Sequence, residues 1–305
     1  MSAPSRIAQR LLCALGLAVC AACGSGAVNS GVGAPGAGPT PTPTNGPCGA
    51  VVTPAQNSTF AIDGTSYTTS YANTSWSFQT LCGGAVQRFE LRPGDVGWSG
   101  DLGLDKQRSE IITADGYNSP YPYGHEIWLS YAFRALSSAP IVGWHVVGQW
   151  HDHPNLGSVA LSPPLAFNLA PPPAGAPSGV VQLSLWSRSS PDPVLTVNPT
   201  ATARWAANIT IGQWNEIVLR VLPGFRNDAQ LQLWVNGRQV LDGTALNVGY
   251  NEALGFGYWQ FGVYRQEDRA TEPASNIDVV EYANVEQGQN SLMARVGAPL
   301  PIPLK

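Results

Sequence analysis

The chain has 305 residues, of which 44% are hydrophobic and 12% are charged, and its formal net charge is -4. This composition can bury a sizeable core, so it excludes a disordered chain. Lys106 and Lys305 are the only lysines, and an acidic chain of this kind is not expected to bind nucleic acid. Arginine supplies the other positive charges and can grip carboxylates with paired hydrogen bonds, so an acidic small group remains a possible ligand.

The N-terminus predicts an export signal. Arginines precede the apolar run Leu11–Cys20, which is too short to stay in a bilayer as a helix. The following segment, AACGS, resembles the lipobox of bacterial lipoproteins, although Cys20 stands where that pattern usually has leucine. We therefore interpret residues 1–22 as a lipoprotein signal peptide and expect a lipid anchor on Cys23. The alternative is cleavage near Ala22, which would release a secreted protein.

A linker and a disulfide are predicted next. Residues 23–47 are rich in Gly, Pro and Thr and lack an apolar period, as is typical of a flexible tether. The anchored protein would then face the periplasm or the cell surface at the outer membrane. Cys48 and Cys82 follow the linker, and in an exported protein we expect them to form a disulfide. The alternative, a metal site, would have only two thiolates.

The body of the chain alternates apolar and polar residues with the period of a β-strand. In segment 126–134, Ile127, Leu129, Tyr131 and Phe133 would share one face, and in segment 214–221 Ile217, Leu219 and Val221 would do the same. Leu231–Val235 followed by Asn236-Gly237 predicts a strand that enters a tight hairpin turn. Further strands are predicted over 85–91, 180–187 and 277–282, and no segment has a helical stripe.

Many strands without crossover helices predict antiparallel sheets that pack face to face. We expect an all-β jelly-roll sandwich over residues 48–290, followed by a C-terminal tail over 291–305. We expect the protein to be a monomer.

The segment VVGQWHDHP contains an unusual group of histidines. Alternation would place one set of side chains on a common face if the strand continued: His145, Val147, Gln149, His151 and His153. Trp150 would face the core, and Asp152 with Pro154 indicates that the strand ends before His153. Three uses are open: a metal site with His151, His153 and His145 as ligands, a strand end with incidental histidines, or a catalytic histidine beside an amide donor.

Two other segments favour the catalytic interpretation. In QRSEI, Arg108 and Glu110 would share a strand face, although such a pair is usually only a solvated ion pair. In YWQFGVYRQ, residues 258–266, the residues Tyr258, Gln260 and Tyr264 would share another face. Alone, this segment also fits a core strand with one polar face.

The three segments, in this order, resemble motifs of the jelly-roll polysaccharide lyases. RSEI, QWH and YWQFGVYRQ are similar to the RSEL, QIH and YFKxGxYxQ motifs of alginate lyases, and the segments WNEIVLRV and LWVNG are similar to the heparin lyase I-like family. The resemblance implies a concanavalin-like sandwich with an open substrate groove, no cofactor and an acidic polysaccharide as substrate. One position departs from the pattern, because Gln260 replaces the usual lysine and removes a positive charge.

The resemblance also implies roles for individual residues in β-elimination. Arg108 and Gln149 would neutralise the substrate carboxylate, while Glu110 would orient Arg108. His151 would act as base and Tyr264 as acid, or Tyr264 as base if the stereochemistry were reversed. The other substrate contacts would come from Tyr258 and Gln260.

The acidic composition and Gln260 favour a uronan with little or no sulfate, such as alginate or glucuronan, over heparin. Two other functions stay open: a lectin-like carbohydrate-binding module on the same sandwich, and a metal-dependent hydrolase that uses His151 and His153.

Overall fold

The computed structural model describes residues 54–114, 121–137, 143–152, 161–192, 199–252, 255–266 and 273–300. These residues all belong to one compact unit, Pro41–Lys305. They form sixteen strands and three short 3-10 helices, and no helix among them is long and apolar enough to span a membrane. The predicted segments 1–22 and 23–47, together with Cys23, Cys48 and His153, lie outside the described residues.

The strands follow one another closely along the chain. In order they are β1 (Thr59–Ile62), β2 (Thr65–Tyr71), β3 (Phe78–Leu81), β4 (Val86–Leu91), β5 (Lys106–Thr113), β6 (Ile127–Ala135), β7 (His145–His151), β8 (Leu165–Ala170), β9 (Val180–Ser187), β10 (Ser189–Ser190), β11 (Thr202–Thr210), β12 (Asn215–Leu222), β13 (Gly224–Val235), β14 (Arg238–Tyr250), β15 (Tyr258–Gln266) and β16 (Asp278–Gly288). The 3-10 helices are Cys82–Gly84, Ser99–Asp101 and Met293–Arg295.

The described strands form two eight-stranded sheets, which confirms the predicted jelly-roll sandwich. The first sheet has the order β1-β2-β5-β15-β7-β8-β9-β11 and is antiparallel throughout. The second has the order β10-β14-β13-β12-β6-β16-β4-β3, with one parallel pair, β10 with β14. The residues predicted to share the inner faces of β6 and β12 lie in one core cluster between the sheets.

The predicted hairpin turn lies between β13 and β14. Asn236 and Gly237 both have positive φ angles, 51° and 75°, and Val235 pairs with Arg238 across the two-residue loop. An Asn-Gly pair adopts this left-handed backbone at low cost, so the local sequence explains the turn. Cys82 is disulfide-bonded, whereas its pairing with Cys48 stays a prediction, as do the boundaries at residues 48 and 290.

The predicted common face of the histidine segment is wrong for its first residues. Register shifts against β15 and β8 interrupt β7 between Val146 and Gly148, which is the signature of a β-bulge. A bulge inserts an extra residue into a strand and so changes the phase of its side-chain alternation. Residues at even spacing on the two sides of the bulge then point to opposite faces of the sheet. His145 therefore lies inside the sandwich, with Nε2 3.5 Å from Asp278 Oδ2, and Val147 joins the core.

A buried polar cluster next to His145 ties the two sheets together. Arg265 of β15 is fully buried, and its Nη1 donates to Oδ2 of Asp278 on β16 at 2.5 Å. Its Nε donates to Gln107 Oε1 at 2.8 Å, and Nη2 donates to the carbonyl of Asn276 at 3.1 Å. The ion pair and its hydrogen bonds satisfy a charge that would otherwise be costly inside the protein.

We predict that Arg265→Met lowers the free energy of unfolding by about 3 to 5 kcal/mol, because it leaves the Asp278 carboxylate buried without its partner. Urea denaturation would measure the change. The matched control, Arg238→Met on the exposed part of β14, should stay within about 0.5 kcal/mol of the wild type. Equal effects of the two substitutions would contradict the prediction, whereas Arg265→Met with Asp278→Leu should recover much of the loss.

Candidate functional site

Three neighbouring strands place the predicted site residues on the outer face of the first sheet. β15 lies between β5 and β7, and its residue Tyr264 pairs with Arg108, while Gly262 pairs with Glu110. Toward β7, the pairs are Gln260 with Gln149 and Tyr258 with His151. Residues that are paired across an antiparallel sheet point to the same face, and adjacent strands are about 4.8 Å apart. The register therefore brings together the seven residues that the three motifs predicted.

Gly262 lies between Gln260 and Tyr264 on β15 and has a φ angle of 141°. A Cβ atom at this position would lie only 2.2 Å from the carbonyl oxygen of Ser109 on β5. Because a side chain would collide with backbone, the position requires glycine. The close approach of β5 and β15 thus depends on this residue.

Arg108 is held by two carboxylates, one of which the sequence did not identify. Its Nε and Nη2 donate to Oδ2 and Oδ1 of Asp101 at 2.5 and 3.0 Å, and its Nη1 donates to Glu110 Oε2 at 3.4 Å. Burial alone would lower the pKa of Arg108, but Glu110 and Asp101 outweigh it and raise the pKa above its ordinary value. The guanidinium is therefore a fixed cation whose charge is already balanced by protein groups.

A short chain of amide hydrogen bonds links Glu110 to Gln260. Gln149 Nε2 donates to Glu110 Oε1 at 2.9 Å and to Gln260 Oε1 at 3.2 Å. An ionised Glu110 can only accept, so it fixes the orientation of the Gln149 amide, which in turn fixes that of Gln260. All three side chains are buried, and they form a polar floor. Burial raises the pKa of Glu110, partly opposed by Arg108 and the hydrogen bond from Gln149.

Tyr264 lies above Arg108 and beside Trp144. The Arg108 Cζ atom is 4.2 Å from the centre of the Tyr264 ring, and the rings of Tyr264 and Trp144 are 4.8 Å apart. Burial raises the pKa of the phenol above its ordinary value, although the nearby guanidinium pulls in the opposite direction. The hydroxyl is accordingly suited to donate a proton and poorly suited to act as a base.

His151 has a carboxylate partner that follows it directly in the chain. Its Nδ1 lies 2.7 Å from Oδ1 of Asp152 and 3.3 Å from the backbone carbonyl oxygen of the same residue. The Asp152 side chain is fully buried, and its Oδ2 accepts from the backbone N–H of Leu161. A carboxylate beside Nδ1 favours the tautomer in which Nδ1 carries the proton and Nε2 has the lone pair. The ring of Tyr258 stacks on the imidazole at 5.6 Å, which further limits its orientation.

The tryptophans divide between core and site. Trp128, Trp150, Trp234 and Trp259 are buried, and the burial of Trp150 confirms its predicted inward direction. Trp98 is 56% exposed and lies 5.3 Å from the Arg108 Cζ atom. An exposed aromatic ring at this rim can stack on a sugar.

Metal binding by the predicted histidine set does not fit the geometry. His145 points to the opposite side of the sheet from His151, so the two cannot share an ion, and His153 lies outside the described residues. Elsewhere in the described ranges, no group of three or more His, Cys, Asp or Glu residues could hold a metal.

Sequence reasoning missed Asp101 and Asp152. Asp101 comes from the 3-10 helix Ser99–Asp101, seven residues before Arg108, and no local pattern links the two. Asp152 was interpreted only as a sign that the strand ends. Its position after His151 was visible, but its burial next to Nδ1 depends on how the chain turns after β7.

Comparisons with known proteins identify the family of the chain and similar folds. A family profile described as polysaccharide lyase matches residues 55–281. The fold is similar to that of an endo-β-1,4-glucuronan lyase from the fungus Trichoderma reesei, with 16% identity, a TM-score of 0.52, and coverage of 75% of this chain and 89% of that one. An alginate lyase from Pseudomonas aeruginosa is 18% identical, with a TM-score of 0.49 and coverage of 71% and 87%. No curated protein sequence matches the chain.

We predict that Asp152→Asn changes the tautomer of His151. The amide oxygen can keep the hydrogen bond from Leu161, so its NH2 group would face Nδ1 and move the proton to Nε2. Nitrogen NMR of the imidazoles should show a larger share of the Nε2–H form of His151, while the backbone carbonyl oxygen of residue 152 remains an acceptor for the Nδ1–H form. The exposed His125 is the internal control, and an unchanged His151 signal would refute the orienting role of Asp152.

Proposed function

Because the chain belongs to the polysaccharide lyase family, we propose that it cleaves a uronic-acid polysaccharide by β-elimination. The observation that carries the proposal is the common face of β5, β15 and β7. This face holds an imidazole with a carboxylate at Nδ1, a protonated phenol, and amide and guanidinium donors between them. These are the groups that such an elimination requires.

Proton transfer is assigned to His151 and Tyr264. His151 Nε2 removes the proton at C5 of the uronate, the electron pair forms the C4–C5 double bond, and the C4–O bond breaks. Tyr264 then donates its hydroxyl proton to the leaving sugar oxygen. The raised pKa of Tyr264 supports this assignment over the reverse one, because a phenol that resists ionisation remains a proton donor.

Stabilisation of the substrate carboxylate is assigned to the donors between them. Negative charge develops on this carboxylate as the C5 proton leaves, so preorganised N–H groups lower the barrier. Arg108 has five N–H groups, three of which donate to carboxylates, and a fourth interacts with the hydroxyl of Tyr264. The Gln149 amide holds Gln260 by its oxygen, so the NH2 group of Gln260 is directed away from Gln149. Gln260 thereby supplies a neutral donor in place of lysine.

The charges of the site favour an unsulfated substrate. The guanidinium of Arg108 is paired with Asp101 and Glu110, and Asp152 lies beside His151. The lysine position holds Gln260. A densely sulfated polymer would meet little attraction here, whereas a single carboxylate per sugar can be bound by hydrogen bonds. We therefore propose alginate or glucuronan as the substrate class.

The proposed activity predicts product formation from a uronan. Purified protein incubated with alginate, glucuronan or heparin should increase the ultraviolet absorbance of unsaturated ends with one of the first two. His151→Ala and Tyr264→Phe should each lower kcat by about 100-fold or more, since each removes a proton-transfer group. Retained binding without product from any of the three polymers would instead support a non-catalytic carbohydrate-binding module.

The assignment of Tyr264 as the acid also predicts how kcat/KM depends on pH. If Tyr264 is the acid, kcat/KM should not rise between about pH 9 and pH 11, the range in which an ordinary tyrosine ionises. A tyrosine base would give an increase there, because its active form would be the phenolate. The pH profile of Tyr264→Phe provides the matched comparison, and an alkaline rise that this variant loses would reverse the assignment.

A further inference from the structure

A pocket far from the Arg108 cluster contains two other arginines. It has a volume of about 440 Å³ and lies where β9 ends in the first sheet and β10 begins in the second. Its lining includes Arg188 and Arg204 with the polar residues Ser187, Ser190, Thr202 and Asn247. Neither arginine was singled out by the sequence motifs.

The two guanidiniums bond only to neutral oxygens among the described residues. Arg188 Nη1 donates to the carbonyl of Pro163 at 3.1 Å. Arg204 Nε donates to Ser187 Oγ at 2.7 Å, and its Nη2 donates to the carbonyl of Asn247 at 3.3 Å. Each therefore keeps N–H groups for a ligand.

The electrostatic state of this pair differs from that of Arg108. Burial lowers the pKa of both Arg188 and Arg204, and no described carboxylate opposes the shift. At Arg108, two carboxylates reverse the effect of burial. Two partly desolvated cations without an anion are an unfavourable arrangement that a bound anion would relieve.

A backbone irregularity directs one of these side chains. Ala203 pairs with Trp186 and Trp205 pairs with Leu185, so Arg204 is the extra residue of a β-bulge on β11. Bulges redirect a side chain away from the regular alternation of the strand. The bulge explains how Arg204 reaches Ser187 and Asn247 across the end of the sandwich.

The pocket lies at the same level of the first sheet as His151. Trp150, the neighbour of His151, pairs with Leu165 on β8, and Leu165 pairs with Ser187 on β9. Two strand spacings separate Trp150 from Ser187, which is about 10 Å at the backbone. Arg188, the residue after Ser187, therefore lies about two strand spacings from the His151 end of β7.

We propose that Arg188 and Arg204 form a distal anion subsite that binds the carboxylate of a uronate sugar further along the polymer. The proposal rests on the proposed function for the identity of the polymer. A guanidinium suits a carboxylate because its planar N–H groups match the two carboxylate oxygens. The exposed hydroxyl of Thr202 suits a hydroxyl of the same sugar.

Calorimetric titration with glucuronan oligosaccharides and matching alginate oligosaccharides tests the proposal. The titrations use the full chain with Tyr264→Phe, so that the ligand is not cleaved. In this background, Arg188→Gln with Arg204→Gln should weaken hexasaccharide binding by about tenfold or more, since charge-assisted hydrogen bonds are lost. Disaccharide binding should not change, because a disaccharide fills only the region of His151 and Tyr264. Lysine at both positions should restore part of the affinity.

The control variant is Arg238→Gln, an equal charge change on the exposed part of β14. It should bind the hexasaccharide as tightly as its parent. Titration with a neutral glucan hexasaccharide separates the contribution of the carboxylates to binding from that of the sugar rings. Titration with monomeric glucuronate separates binding of the polymer from binding of a free anion. Equal hexasaccharide affinity in the double glutamine variant and its parent would overturn the subsite, as would no uronan binding by the parent.

The two proposals can fail separately. Product formation by the wild type with unchanged hexasaccharide binding in the double variant would reject the subsite and keep the lyase. If the double variant binds the hexasaccharide more weakly and the wild type forms no product, the subsite is kept and the lyase is rejected. Urea denaturation of the double variant identifies a loss of binding that comes from unfolding.

Discussion

The pairing of β15 with β5 and β7 is the constraint on which the site depends. The inner face of β15 packs Trp259 and Phe261 into the core and buries Arg265 against Asp278. Its outer face carries Tyr258, Gln260 and Tyr264. A shift of one residue would exchange the two faces, so the energetic cost of exposing the core also fixes the positions of the site residues. The register of this strand therefore determines both the stability of the core and the geometry of the site.

The site combines little net positive charge with strong preorganisation. Arg108 is paired with Asp101 and Glu110, and the lysine of the related motif is replaced by Gln260. In the proposed elimination, stabilisation of the developing negative charge would depend on oriented amide and guanidinium N–H groups rather than on an excess of cations. Such groups are effective when they are held in place before the reaction begins. The buried hydrogen bonds of Gln149 provide that restraint.

Two arginines without a carboxylate partner among the described residues lie away from this site. In the part of the chain that the structure describes, Arg188 and Arg204 form no ion pair, and they lie at the end of β9 rather than beside Tyr264. This separation suggests a division between a nearly neutral region for chemistry and a cationic region for retention of the polymer. Long-range attraction would then favour the binding of longer polymers. The N–H donors would stabilise the reacting sugar.

Much of the fold could be predicted, because alternation and turn chemistry are local properties of a sequence. The inner residues of β6 and β12 and the Asn236-Gly237 turn follow from such patterns. The grouping of Arg108, Gln149 and Tyr264 was instead implied by the resemblance to lyase motifs. The face of His145 could not be predicted, since the bulge in β7 is defined only against its neighbouring strands. Asp101 was missed because it reaches Arg108 from a separate turn.

By itself, the sequence determined which residues alternate, where tight turns occur and which side chains with acid, base or donor chemistry are available. Those features depend on neighbours along the chain. Only the tertiary structure decided that Asp101 balances Arg108, that Asp152 lies against His151, and that Arg188 and Arg204 meet in one pocket. These contacts join residues through strand pairing, bulges and burial, which depend on the packing of distant segments rather than on local sequence.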